Sequence, residues 1–117
     1  MNKVAIQIVG LATLFTVGIP YSLAVEANVL EQGKEIAFDR KKGNCLACHA
    51  ISGGELVGNL GPELVDMKTR YPDKKRLRNQ IWDATKGNPA TSMPPFGRHR
   101  MLTSEEIDKV VEYIYSL

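Results

Sequence analysis

Residues 45–49 read Cys-Leu-Ala-Cys-His, and this run restricts the chain more than any other feature. Two thiols separated by two residues and followed at once by an imidazole have the spacing of a c-type haem attachment site. Each thiol adds across one haem vinyl group to form a thioether, and the two-residue gap lets both sulfurs reach one porphyrin edge. The adjoining imidazole then lies under the iron as the proximal ligand. The competing uses of the pair fit less well. A redox Cys-x-x-Cys needs no following His and normally comes after a strand in a βαβ pattern. A zinc site needs further Cys or His ligands, and only His99 remains. A disulfide suits an exported chain, but it leaves His49 without a purpose.

Export is expected from the N-terminus. Lys3 supplies a positive charge, residues 4–19 form a mostly apolar run, and Pro20 ends it. Ser22-Leu23-Ala24 then places small residues where a signal peptidase cuts. A membrane-spanning helix wants about 20 apolar residues, so residues 1–24 are expected to be a cleaved signal peptide and 25–117 the mature domain. Val25-Glu26-Ala27 offers a second cleavage site slightly downstream. No Cys stands near either site to carry a lipid. The expected location is the periplasm, with no membrane contact after cleavage. The formal net charge of +2 includes Lys3 and says little about partners.

The mature chain predicts three helices and no convincing strand, an all-α single domain. The first covers 27–42, with Val29, Gly33, Ile36 and Ala37 near one face and Gly43-Asn44 as its stop. Gly33 costs helix stability relative to Ala, which implies a close packing contact there. The second covers 73–85, with Leu77, Ile81 and Ala84 as its buried stripe. The third begins at a capping box of Thr103 and Glu106, flanked by a hydrophobic staple of Leu102 and Ile107. Ile107, Val110, Val111 and Ile114 continue it at helical spacing. Residues 43–61 show little periodicity, so a large apolar cofactor is needed to complete the core of so small a domain.

A second axial ligand must come from Met67, Met93, His99 or Met101. Met93 lies in Ser92-Met93-Pro94-Pro95-Phe96-Gly97, where two prolines stiffen the backbone around it. That rigidity suits a thioether held against iron from a non-helical loop. His99 is the rival, but flanking Arg98 and Arg100 suggest a wetter position. Met67 and Met101 read as ordinary core methionines. His/Met ligation raises the reduction potential and closes the iron to substrate, which favours electron transfer over oxygen or peroxide chemistry.

The segments GNCLACHAISGGELVGNLGPEL, RYPDKKRLRNQIWDAT and NPATSMPPFGRHRMLTSEEIDKVVEYIYSL together resemble the sulfur-oxidation c-type cytochrome family SoxX. The resemblance spans nearly all of the mature sequence. It implies a class I cytochrome c fold around one covalently bound haem c, with Cys45, Cys48 and His49 as haem-binding residues and Met93 as distal ligand. It implies that the carbonyl of Pro62 accepts the Nδ1 proton of His49, a bond that would fix the imidazole; a plain turn proline is the equal alternative. It also implies a heterodimer with the haem protein SoxA. That complex acts as an L-cysteine S-thiosulfotransferase, joining thiosulfate to a Cys of the SoxYZ carrier. The present chain would take the electrons and pass them to a soluble c-type cytochrome, with no bond-forming residue of its own. The alternative is a free-standing electron carrier. One departure stands out: where class I cytochromes often carry an aromatic, four residues after the first-helix glycine, this chain has Ala37, so the terminal helices would lean on Tyr113 with Phe38 nearby.

Three weaker features remain. Trp82 either donates to a haem propionate or simply packs beside Ile81. Lys68, Arg70, Lys74, Lys75, Arg76 and Arg78 form a basic stretch that reads first as a solvated face and second as a docking or anion-steering surface. It lacks the interleaved aromatics of a nucleic-acid surface. Arg98-His99-Arg100 is expected near the haem edge or the SoxA interface.

Overall fold

The glycine at position 33 sets how the two long helices meet. The computed structural model describes residues 21–117, with helices α1 (Tyr21–Phe38), α2 (Met67–Arg70), α3 (Lys74–Trp82) and α4 (Ser104–Tyr115) and no strand among the described residues. Short 3-10 turns lie at Cys45–Ala47 and Ala84–Lys86. α1 crosses α4 so closely that a Cβ on residue 33 would stand 2.1 Å from the Lys109 carbonyl oxygen and 2.9 Å from Cβ of Tyr113. The packing contact expected at Gly33 is therefore present. Ala37, fully buried, fills the place of the missing aromatic. Phe38 and Tyr113 meet edge to face beside it, with centroids 6.1 Å apart at 76°. The core follows from this crossing: Ile36, Leu77, Ile81, Phe96, Leu102, Ile107, Val110 and Ile114 form one cluster.

The predicted helices stand with shifted ends. α1 starts at Tyr21 rather than 27 and stops at Phe38 rather than 42. The stop is early because the Asp39 side chain accepts from the Lys41 amide at 2.8 Å, and Gly43 N–H returns to the Ile36 carbonyl at 3.0 Å. That aspartate competes with the helical ladder for backbone donors. The expected 73–85 helix begins at its Asp73 cap, whose side chain accepts from Lys75 N at 2.9 Å, but ends at Trp82. Asp83 leaves helical geometry (φ −158°, ψ 87°) and caps the following 3-10 turn instead. The short α2 has no counterpart among the helices predicted from sequence. Residues 1–20 of the expected signal peptide lie outside the described residues. No helix among the described residues is long and apolar enough to cross a membrane.

The capping box of α4 is complete. Thr103 Oγ1 accepts from Glu106 N at 3.1 Å, and Glu106 Oε2 accepts from Thr103 N at 2.9 Å. Leu102 and Ile107 are buried as the staple requires. Glu106 does more than cap, because its other oxygen meets Lys42 Nζ at 2.6 Å and ties the end of the α1 turn to α4. The Lys42 ammonium and the Thr103 amide hold the Glu106 carboxyl below its ordinary 4.5. A lowered carboxylate contributes stability above its unfolded value and loses it as the pH falls through the folded one. Gln keeps the capping bond but not the charge. Glu106→Gln is therefore expected to lower the thermal midpoint at pH 7 and to match the parent protein once the pH is well below 4.5, measured by melting curves across that range.

The basic stretch is largely an inter-helix clamp. Lys74 Nζ pairs with Glu112 at 2.8 Å, and Arg78 Nε pairs with Asp108 at 2.6 Å while Nη2 reaches Ser104. Lys68 and Lys74 also lie over the ring of Tyr115, and Arg78 over that of Trp82. Arg70 bonds the Glu63 carbonyl at 2.7 Å. Among the six, Lys75 and Arg76 face solvent without an ion pair among the described residues.

The 52–60 loop holds one bulky residue in the left-handed region. Leu56 has φ 53° and is 85% exposed, so it gains no burial in return. The left-handed conformation costs a β-carbon-bearing residue about 1–2 kcal/mol, and Asn bears it better. Leu56→Asn is expected to raise unfolding free energy by about 0.5–1 kcal/mol in urea titrations.

Candidate functional site

The motif loop and the Met93 loop line one cavity. Asn44, in the left-handed region at φ 46°, turns the chain after α1 and starts the 3-10 turn that carries Cys45. His49 N–H returns to the Cys45 carbonyl at 2.9 Å, which aims the imidazole back under the motif. The segment that follows then folds onto the motif. Gly58 N–H bonds the Leu46 carbonyl at 2.7 Å, Gly61 N–H the Cys48 carbonyl at 2.8 Å, and Leu64 N–H the Ala50 carbonyl at 2.9 Å. Gly61 is required here, because a Cβ would stand 2.3 Å from Cε1 of His49. The same fold-back brings the Pro62 carbonyl oxygen to 2.6 Å from His49 Nδ1. A carbonyl can only accept, so His49 donates from Nδ1, and Nε2 keeps its lone pair for a metal.

Met93 reaches the same cavity from the loop after the 3-10 turn at Ala84–Lys86. Thr91 Oγ1 accepts its amide at 3.2 Å, and Pro94-Pro95 follow directly. The Gln80 side chain on α3 donates from Nε2 to Met93 Sδ at 3.8 Å. Sequence reasoning missed Gln80. It stands three residues after Leu77 and one before Ile81, on the edge of the buried stripe, and that position was its only signal.

Cys45, Cys48, His49, Pro62 and Met93 all line one cavity of about 630 Å³. Its walls are mainly apolar, with Leu64, Leu77, Ile81, Phe96, Val110 and Ile114 among them. The size falls in the range of cofactor pockets. An imidazole nitrogen, a thioether sulfur and two thiols on one apolar cavity match what a c-type haem needs. Burial pushes the Cys45 thiol up to about 11. At neutral pH it is a protonated thiol, unlike the depressed attacking thiol of a redox Cys-x-x-Cys. Both cysteines are free, and the described residues hold no cluster of three His, Cys, Asp or Glu side chains fit for a metal ion.

The geometry sets one rival ligand apart and leaves two on the cavity wall. His99 is exposed and does not line the cavity. Met67 is buried and Met101 is 48% exposed, and both reach the cavity wall. Met101 is thus not the core residue expected of it. Arg98, His99 and Arg100 are all exposed, none lines the cavity, and Arg98 is turned toward Asp83. Trp82 packs its ring against Gly97, with the Arg78 guanidinium over it.

Comparison with known proteins agrees with this geometry. The family profile described as cytochrome c oxidase, cbb3-type, subunit III matches residues 29–114. The chain belongs to that family. It is a c-type cytochrome domain for electron transfer, and membership implies haem binding. The cbb3-type subunit CcoP of Azospirillum sp. (strain B510) is 34% identical over 82 residues, covering 63% of this chain and 27% of that protein. An uncharacterized lipoprotein of Aquifex aeolicus (strain VF5) is 37% identical over 76 residues, 64% of this chain and 37% of that protein. The chain thus spans little more than a third of these relatives at most. Its all-helical architecture, with the cavity between the motif loop and the Met93 loop, is that of a small class I cytochrome c domain in this family.

Proposed function

We propose that the chain carries one haem c, attached through Cys45 and Cys48 and ligated by His49 and Met93, and that it is the SoxX-type electron-accepting subunit of a periplasmic L-cysteine S-thiosulfotransferase. Haem c supplies a one-electron iron couple when bound. The observation that carries the electron-transfer part is the placement of His49 and Met93 on one mainly apolar cavity; with both side chains holding the iron, no site would be left on it for a substrate. His49 is held in one tautomer by Pro62, and Gln80 holds the Met93 sulfur. A soft thioether opposite an imidazole favours the reduced iron and so an acceptor of electrons.

The subunit assignment rests on the sequence resemblance of residues 43–64 and 88–117. On that reading the partners are SoxA, the SoxYZ carrier as substrate of the complex, and a soluble c-type cytochrome as acceptor. The relation to CcoP favours a second reading, in which the chain is a carrier that hands electrons toward a terminal oxidase without a SoxA partner.

Affinity capture of the tagged chain from a periplasmic extract, with haem staining and a thiosulfate-dependent reduction assay, separates the two. Co-capture of a second haem protein, with reduction only when that protein and the sulfur carrier are both present, is the expected result. Capture alone, with rapid electron exchange with an oxidase-linked cytochrome and no thiosulfate dependence, gives the second reading.

A further inference from the structure

Asp83 is the one charged side chain among the described residues that is buried, at 3% exposure. A buried carboxylate is tolerated only with partners. Thr85 gives two of them, its hydroxyl and its backbone N–H at 3.2 Å. Those bonds alone would complete an ordinary local turn at the end of α3. The third partner is not local. Arg98 Nη1 lies 3.3 Å from Asp83 Oδ2 and 3.1 Å from Thr85 Oγ1, reaching across fifteen residues of chain.

Between Asp83 and Arg98 runs the strap that bears Met93, and both of its ends land on residues 82–84. At the start, Asn88 N–H bonds the Ala84 carbonyl at 3.1 Å. At the finish, Gly97 N–H and Arg98 N–H both bond the Trp82 carbonyl, at 3.0 and 3.3 Å. Gly97 lies flat on the Trp82 indole with no room for a Cβ. Asp83–Arg98 is the one ion pair in this closure among the described residues.

We propose that Asp83 and Arg98 form a latch that keeps the 88–98 strap closed over the cavity, and that both are positioning residues for Met93. The latch rests on Met93 being the distal ligand. A thioether on a flexible side chain holds iron only while its backbone stays in place. Straps of this kind open locally at far less cost than the whole domain. A charge-assisted bond at the strap's exit, with one partner out of water, raises that cost. A competing ligand reads the open fraction directly, since its apparent affinity scales with the population that can bind it.

The test is imidazole binding to the ferric, haem-loaded full chain, followed by absorbance, with thermal midpoints measured alongside. Arg98→Gln changes an exposed side chain; Asp83→Asn keeps the shape of the buried one. Each is expected to tighten apparent imidazole affinity about tenfold, and the double variant no more than either alone, because both remove one interaction. Ile107→Val, in the core but not on the cavity wall, is expected to lower the midpoint without changing imidazole affinity. Imidazole affinity within about twofold of the parent in Arg98→Gln overturns the latch, as does tightening that follows the midpoint in Ile107→Val as well. A ferric parent protein with no thioether-to-iron charge-transfer band overturns Met93 ligation, and the latch with it; a band that is present but insensitive to Arg98→Gln overturns the latch alone.

Discussion

Replacing Met93 by Ala is expected to lower the reduction potential by on the order of 200 mV and to remove the thioether-to-iron charge-transfer band of the ferric state. Ligand chemistry sets the direction. As the proposed ligand, the Met93 sulfur would donate weakly and favour the reduced iron, and the Gln80 amide, 3.8 Å from that sulfur, would draw density from it further. An alanine leaves the distal face to water or to a small added ligand, and both stabilise the ferric form. The substitution also opens the site, so cyanide or imidazole should bind far faster than to the parent protein. His99→Ala is the matched control, because His99 is exposed and away from the cavity. Voltammetry of the two variants decides between them: a large drop in His99→Ala and none in Met93→Ala would reverse the ligand assignment.

The second large effect is on stability. Gly33→Val is expected to cost at least about 3 kcal/mol in denaturant titrations. The obstacle is main chain: the Lys109 carbonyl oxygen would lie 2.1 Å and its carbon 2.8 Å from the new Cβ. A side chain can rotate away, but a helical carbonyl can move only with its helix. The better helix propensity of the new residue returns less than about 1 kcal/mol, far too little to offset the collision. Val110 and Ile114 line the cavity from the same helix, so the displaced α4 also loosens the haem pocket. Gly87→Ala is the control, since a methyl group there would stand 3.8 Å from its nearest neighbours and φ is −88°. It is expected to change the midpoint little.

What could be read from sequence was whatever is encoded within a few residues. The Thr103–Glu106 box and the Leu102–Ile107 staple are local contacts between near neighbours, and each stands where its residues predicted. Gly33 was legible because a glycine inside a helix needs a reason. The break at Asp83 was not, because an aspartate inside an apolar stripe gives no sign that its carboxylate will turn back to Thr85 and across to Arg98. The role of the basic stretch was hidden for the same cause. Lys74 and Arg78 find Glu112 and Asp108 only after α3 packs on α4, more than 25 residues apart in sequence. Gln80 escaped notice since a polar residue at the margin of a stripe is usually solvated. At the cavity itself, the five residues could be named from the motif and the resemblance, but their convergence on one apolar space is a property of the fold.

The crossing of α1 and α4 has a consequence for how such a protein matures. Residues 104–115 supply part of the cavity wall, and Met67 N–H is pinned by the Leu117 carbonyl at 3.1 Å. These contacts join segments some 50–80 residues apart, the kind that form late because their loops are slow to close. The thiols of Cys45 and Cys48, by contrast, sit in a motif loop built from neighbouring bonds. While α4 is still undocked, the side of the cavity that Val110 and Ile114 line would stand open to a porphyrin; once α4 has packed against Gly33, that side is covered. If haem is attached at Cys45 and Cys48 as proposed, attachment before closure would be the easier order, with α4 as the door that shuts behind the cofactor.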